Sequence, residues 1–308
     1  MTAGQLYGVI PNFSEGRRAD VIDAIVGALR VPGARVVYAE ADADHNRLDT
    51  TVLGDDDAVW RSAMAGAAAA VELIDMRAHR GGHPRMGAAD VIPFMPVRAV
   101  TMEACVELAR GFGRSLADRL GLPVYLYDRA ALVAERASLA DVRRGEFEGL
   151  RDAVARGERL PDFGPREIGR AGATAVGARK PLIAFNVYLD GADEGAAKAI
   201  AKALRESGGG LPAVRAIGFA VPERGGIVTV SMNLVDHEVT GLSAAFDEAE
   251  RLAAQHGMVV TDSEIVGLVP ASALAPGDPE HLRLVGFDPD RQVLERLVQD
   301  DGSEEIER

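Results

Sequence analysis

The chain has 308 residues, enough for two domains, and its 47% of apolar residues can fill two cores. Its only cysteine, Cys105, rules out a disulfide framework and a four-cysteine zinc site, and its apolar surroundings favour a core position. The formal net charge of −13 disfavours nucleic acid as a partner, and no signal peptide or membrane span is evident, so we expect a cytoplasmic protein.

The first half of the chain alternates strand and helix patterns. Apolar, β-branched runs predict strands at residues 6–10, 34–40, 50–54, 91–97 and 124–127. Helical periodicity predicts helices at residues 18–30, 55–70 and 102–120, the last capped by Thr101. The order begins as βαββ, and one extra αβ unit is expected near residue 120.

The second half gives the clearer pattern. Strands are predicted at residues 180–189, 214–221, 227–234 and 264–270, with helices at residues 194–206 and 240–256 and a turn at residues 222–226. The resulting order, βαββαβ, is the ferredoxin-like pattern.

Between the halves lies a Gly- and Pro-rich stretch, residues 161–177 (PDFGPREIGRAGATAVG), which predicts a domain linker. The charged end of the chain predicts a disordered tail at residues 301–308. We therefore expect an α/β (α+β) protein of two ferredoxin-like βαββαβ-type subdomains, residues 1–178 and 179–300; the family resemblance given below adds a ligand groove between them.

Polar groups concentrate on three Gly- and Pro-rich segments. These are residues 11–16 (PNFSEG), 42–47 (DADHNR) and 75–90 (DMRAHRGGHPRMGAAD). Binding and catalytic residues often lie on loops of this kind at the ends of strands. In the second segment, His45 is a candidate for ligand binding or for capping a turn. The remaining histidines, His237, His256 and His281, are interpreted as surface or helix-end residues.

The third segment contains two histidines, His79 and His83. On a helix their spacing would suit a metal pair, but Gly81, Gly82 and Pro84 argue against a helix here. A metal site of His79, His83 and Asp75 or Asp90 is the alternative. We favour His83 alone as an acid/base group, since histidine titrates nearest neutral pH. Arg85, two residues on, could hold an anion.

The motifs of serine hydrolases and of nucleotide-binding proteins are not matched. Ser14 and Ser231 lack the G-x-S-x-G elbow of serine hydrolases. The run of three glycines at residues 208–210 has no P-loop lysine and follows a helix, and no Rossmann fingerprint occurs.

At these segments the chain resembles the glutamate formiminotransferase family, which includes the N-terminal part of the animal formiminotransferase–cyclodeaminase. The matching stretches span residues 9–270: VIPNFSEGRR, HNR, IDMRAHRGGHPRMGAADVIPFMPV, PVYLYDRAA, RRGEFEGL, PDFGP, GATAVGARKPLIAFNVYL, VSMNLVDHEVT and SEIVGLVP. The resemblance implies two α/β subdomains with folate bound between them, a homodimer, and a catalytic histidine in the HPRMGA motif, here His83.

The resemblance also implies ligand-binding residues. Asn12 of PNFSEG matches a ligand-contacting position, and an acidic position after the second strand falls on Glu40, Asp42 or Asp44. Residues 164–172 match the folate-binding linker of the family, although this chain is one residue shorter there. Because both substrates carry carboxylates, Arg47, Arg85 and Arg179 are candidate clamps. The full set of predicted folate- and substrate-binding residues is Asn12, Glu40, Asp42, Asp44, Arg47, His79, Arg85, Gly164, Pro165, Gly172 and Arg179.

The implied reaction transfers the formimino group of N-formimino-L-glutamate to N5 of tetrahydrofolate, a co-substrate, and needs no metal. Because the cyclodeaminase part is not in this sequence, the expected product is 5-formiminotetrahydrofolate. Two alternatives stay open: formyl transfer between N-formylglutamate and folate, and folate binding without turnover.

Overall fold

A computed structural model of the chain describes residues 4–221 and 224–298. The chain divides into two compact units, Met1–Arg179 and Lys180–Arg308. The predicted turn at residues 222–226 falls partly outside the described residues, and the predicted tail at residues 301–308 falls wholly outside them.

The first unit is a mixed sheet with helices packed on it. Its strands are β1 (Leu6–Val9), β2 (Asn12–Phe13), β3 (Arg35–Asp42), β4 (Arg47–Gly54), β5 (Ala89–Arg98), β6 (Val124–Asp128) and β7 (Thr174–Ala178). Its helices are α1 (Ala19–Leu29), α2 (Asp56–Leu73), α3 (Met102–Leu120), α4 (Leu139–Val142) and α5 (Glu146–Ala155).

Strand β5 pairs with three strands of this sheet, β1, β2 and β7. β1 and β2 both lie between β4 and β5 and are antiparallel to them, and β3 pairs with the other edge of β4. On its far side β5 pairs with β7, which pairs with β6, and both pairings are parallel. The ends of β2, β3, β4 and β5 that carry the polar segments therefore meet at one end of the sheet.

Apolar side chains on these strands pack against the helices of this unit. Val9 lies opposite both Val52 and Phe94, and all three side chains are fully buried. The Phe94 ring packs 5.2 Å from that of Phe112 in α3. The hydroxyl of Thr101 caps α3 by accepting the Ala104 N–H at 3.2 Å, as predicted.

Two sequence predictions for this unit are wrong. The stretch at residues 161–177 is not a linker throughout, because its end forms β7, a fully buried strand between β5 and β6. Its small residues fit there since neighbouring side chains fill the space, as the Tyr127 ring does over Gly177. The hairpin of β3 and β4 also extends to Asp42 and Arg47, so Glu40 lies within a strand and not after one.

The second unit has one four-stranded antiparallel sheet. Its elements are β8 (Ile183–Leu189), α6 (Glu194–Leu204), β9 (Val214–Val221), β10 (Ile227–Leu234), α7 (Leu242–Gln255), β11 (Val260–Val266), α8 (Asp278–His281) and α9 (Pro289–Gln292). The strand order is β11-β8-β10-β9. The last strand was predicted at residues 264–270 but spans Val260–Val266. Gly267, with a φ of +75°, follows its end.

The segment after β11 belongs to the core of this unit. Leu282, Val293 and Leu294 are buried, and Ser263 of β11 exchanges backbone hydrogen bonds with Arg283 and Val285. Both units combine sheet and helix, which confirms the predicted mixed α/β class. Among the described residues no helix combines the length and apolar character needed to cross a membrane.

Candidate functional site

The three polar segments singled out in the sequence lie against one another in the first unit. The side chain of Asn46 joins them: its Oδ1 accepts the Gly16 N–H at 2.9 Å, and its Nδ2 donates to the Arg80 carbonyl at 2.9 Å. The Gly82 N–H also donates to the Asp44 carbonyl at 3.2 Å. Residues from the three segments, 11–16, 42–47 and 75–90, therefore form one surface.

Two glycines make this close packing possible. A Cβ on Gly16 would lie 2.0 Å from the Asp42 carbonyl oxygen, and one on Gly81 would lie 2.2 Å from that of His45. Because both obstacles are backbone atoms, no side chain fits at either position without moving a segment.

His83 stands on this surface as a neutral base. Its Nδ1 lies 2.7 Å from the Pro84 carbonyl oxygen, which can only accept, so Nδ1 carries the proton and Nε2 is the basic nitrogen. Burial, together with the positive charges of Arg47 and Arg143, lowers the pKa of His83 to about 4. At pH 7 the imidazole is therefore uncharged and able to accept a proton.

Near His83, the buried carboxylate of Asp90 binds two arginines. Asp90 is fully buried and accepts hydrogen bonds from Arg47 Nη1 and the Met86 N–H, at 2.8 and 2.7 Å, and from Arg143 Nη2. Burial by itself would raise the pKa of Asp90, but Arg143 and Arg47 outweigh it and the pKa is lowered. Asp90 is therefore an anion that fixes two cations close to His83.

Arg85, predicted as a clamp, is already bound by two carboxylates. Its Nη1 donates to Glu146 and Glu148 at 2.5 and 2.9 Å, and its Nη2 donates to Glu148 at 2.8 Å. The Arg85 carbonyl accepts the Phe147 N–H at 2.9 Å. These bonds attach the RRGEFEG segment, and with it Arg143, to the HPRMGA segment.

The acidic candidates lie in different surroundings. Asp42 binds His45 through both its oxygens, at 2.8 Å to the N–H and 2.6 Å to Nδ1. Asp44 is exposed in the turn between β3 and β4, and Glu40 accepts a hydrogen bond from the Tyr38 hydroxyl on exposed β3. Asp42 is therefore the one of the three carboxylates that contacts a histidine.

Among the remaining candidates, Asn12 and Arg179 lie on the sheet. Asn12 is buried opposite Asp49 of β4 and Val91 of β5. Arg179 follows β7, and its backbone N–H donates to the Phe94 carbonyl at 3.0 Å. The side chain of Arg179 hydrogen-bonds to Tyr127. Burial raises the pKa of Tyr127, although the charges of Arg179 and Arg143 act to lower it.

The two ends of the predicted folate-binding stretch lie at different places. Gly172 pairs with Gly87 of the HPRMGA motif, with a φ of +76° and no room for a Cβ beside the Met86 carbonyl oxygen. Gly164 instead packs on Leu122 beyond the end of α3, and Pro165 next to it is exposed. Only the Gly172 end is joined to the surface that carries His83.

His79 connects segments from a buried position. Its Nε2 lies 3.0 Å from the Asn46 carbonyl oxygen, so Nε2 carries the proton, and burial lowers the pKa of the ring. His79 therefore supports the turn that carries His45. Within residues 4–221 and 224–298, no cluster of three or more histidine, cysteine or acidic side chains is arranged to hold a metal.

The sequence identified His83, Arg47 and Arg85 as candidates but not the residues of the RRGEFEG stretch that lie beside them. Arg143, Glu146 and Glu148 come from the RRGEFEG stretch, for which no role was predicted. The signal available in the sequence was a run of charged residues next to the apolar positions Phe147 and Leu150.

Two family models match this chain, one in each unit. The model of the N-terminal subdomain of the formiminotransferase domain matches residues 6–179, and the formiminotransferase domain model matches residues 184–278. The site described above lies wholly within the first match.

Curated relatives cover almost the whole chain. The glutamate formimidoyltransferase of Thermoplasma acidophilum is 42% identical over 96% of this chain and 97% of its own length. That of Streptococcus pyogenes serotype M1 is 42% identical over 93% and 96%. The formimidoyltransferase-cyclodeaminase of Rattus norvegicus is 41% identical over 98% of this chain and 61% of its own length. The chain therefore belongs to the formiminotransferase family.

Proposed function

We propose that this protein is a glutamate formimidoyltransferase, which transfers the formimino group of N-formimino-L-glutamate to N5 of tetrahydrofolate. The observation that carries the proposal is the match, along nearly the whole length of both chains, to relatives named for this reaction. Enzymes of this kind act in histidine degradation and one-carbon metabolism, and the folate is a co-substrate.

The neutral state of His83 suits the first requirement of this chemistry. When N5 attacks the amidine carbon of the donor, the new C–N5 bond leaves N5 with a proton that it must lose. A neutral imidazole with a free Nε2 can accept that proton, and general base catalysis of this kind contributes roughly 10²–10⁴-fold in rate.

The arginines beside His83 suit the second requirement, the binding of anionic substrates. The net charge of −13 repels carboxylates at long range, so local positive charge has to offset it. Arg47 and Arg143 share the buried carboxylate of Asp90, and Arg47 also binds the half-exposed Asp49 at 2.9 Å, yet both arginines act on His83 as positive charges that lower its pKa. We assign substrate attraction to this pair, and Arg85 to holding the RRGEFEG segment.

Several finer features rest on the family resemblance. We infer that each unit contains a ferredoxin-like βαββαβ arrangement, supported by the order β5-β1-β4-β3 in the first unit and β11-β8-β10-β9 in the second. We further propose that Asn12, Gly172 and Arg179 contribute to folate binding. A homodimer and a cytoplasmic location stay predictions.

Purified protein should be assayed with tetrahydrofolate and two donors, formiminoglutamate and formylglutamate, and without a donor as the control. The proposal predicts 5-formiminotetrahydrofolate with the first donor alone. Turnover of formylglutamate with none of formiminoglutamate would mean that the site transfers formyl groups instead. Folate binding without turnover of either donor would reduce the function to binding.

A further inference from the structure

Formimino transfer requires two nitrogens to exchange protons, a requirement that rests on the function proposed above. The attacking N5 loses a proton, and the nitrogen of the departing glutamate gains one as its bond to carbon breaks. His83 meets the first need as a neutral base. The second need is for an acid that is charged when His83 is not, close enough to reach the same carbon.

A second imidazole next to His83 is held in a fixed orientation. Asp42 accepts both the backbone N–H and the ring Nδ1–H of His45, at 2.8 and 2.6 Å. A carboxylate that holds Nδ1 leaves Nε2 as the available nitrogen. The two side chains are about half exposed, at 54% for His45 and 50% for Asp42, so a ligand can reach the ring.

The His45 ring stands edge-on to the His83 ring, with centroids 6.1 Å apart and planes at 81°. Gly81 packs closely against the His45 carbonyl, and Gly82 lies next to the His45 ring. Because Nδ1 of each ring is committed to its own acceptor, each ring offers only Nε2 for exchange.

The charges around the two rings are opposite. His83 faces Arg47 and Arg143, which disfavour a positive charge on its ring. His45 is instead bound to Asp42, whose pKa the hydrogen bonds from His45 lower, so Asp42 is an anion in contact with the ring. With cations beside one ring and an anion beside the other, the two rings can divide base and acid roles between them.

We propose that His45, held by Asp42, is the general acid of this site and delivers a proton to the nitrogen of the departing glutamate, while His83 accepts the proton of N5. One proton thus passes from N5 to His83 and another from His45 to the departing nitrogen as the C–N5 bond forms and the C–N bond to glutamate breaks. Return of the proton from His83 to His45, through solvent, restores both groups.

The test uses the full chain with His45→Gln, His45→Ala and Asp42→Asn. Removing the acid should lower kcat by about 10²-fold in both His45 variants with the KM for tetrahydrofolate nearly unchanged, and Asp42→Asn should lower kcat by a smaller factor. Added imidazole should restore part of the turnover of His45→Ala, since it can supply the missing proton. His281→Gln is the matched control, because His281 pairs with Asp247 at 2.9 Å outside the candidate site.

The outcomes separate this proposal from the function on which it rests. If the unaltered protein does not transfer the formimino group, the proposed function fails. If that protein is active but the His45 variants keep normal kcat, or lose activity only through a higher KM, His45 is not the acid. Loss of kcat that imidazole does not restore, with the thermal midpoint lowered as well, would reduce His45 to a structural residue.

Discussion

Replacing Asp90 with asparagine tests whether the buried charge network stabilises the first unit. The new amide keeps an oxygen for the Met86 N–H but turns an N–H2 group towards both Arg47 and Arg143, which can only donate. Asp90 is fully buried, and the side chains of Arg47 and Arg143 are 8% and 12% exposed, so water cannot replace the lost carboxylate.

Removing one partner of a buried ion pair lowers the free energy of unfolding by about 3–5 kcal/mol. In a unit spanning Met1–Arg179, each kcal/mol shifts the thermal midpoint by roughly 2–4 °C, so we expect a decrease of about 6–20 °C. Because its folded-state pKa is lowered, the contribution of Asp90 is present above its unfolded pKa and is lost as the pH falls through the folded value.

Trp60, the only tryptophan, lies in the first unit and reports its unfolding by fluorescence. Asp57→Asn is the matched control: it breaks an exposed pair with Arg61 in α2, at 2.7 Å, and should lower the free energy of unfolding by no more than about 1 kcal/mol. If Asp90→Asn unfolds as the control does, the buried network does not contribute as described.

Three further predictions concern His83 and the turn beside it. His83→Ala should unfold at the same temperature as the unaltered protein but lose roughly 10²–10⁴-fold in kcat, and near-normal turnover would refute its acid/base role. His83 accepts a proton, and its pKa is lowered to about 4. Protonation of His83 should therefore lower kcat/KM only as the pH falls towards 4. An acid limb near pH 6.5 that disappears in His83→Ala would contradict this. Gly81→Ala should lower the thermal midpoint because its Cβ meets the His45 carbonyl at 2.2 Å, whereas Gly82→Ala, with its nearest contact at 3.7 Å, should not; equal midpoints would show that the turn can shift.

Periodic segments were predictable from sequence because local pattern decides them. Helix α3 and strands β9 and β10 were predicted with the bounds that the structure shows. Strand β7 was not, since its sequence, TAVGA, has small residues and glycine, and only its two parallel neighbours make it a strand.

The candidate site was predictable where its residues are close in sequence. The glycines and proline around His83 marked that loop, and the resemblance assigned its role. The bond from Arg85 to Glu148 spans 63 positions, and the one from Arg143 to Asp90 spans 53. No local pattern reports contacts at such separations, so the clamp role suggested for Arg85 could not be weighed against its carboxylate partners.

The most direct measurement follows the carbon that is transferred. Formiminoglutamate labelled with ¹³C in its formimino group is incubated with tetrahydrofolate and the purified protein, and the products are observed by NMR. We expect the label to appear on N5 of the folate at the rate at which glutamate is released, and this transfer to be lost in His83→Ala. Glutamate release with the label in free formate or formamide, and none on the folate, would contradict it.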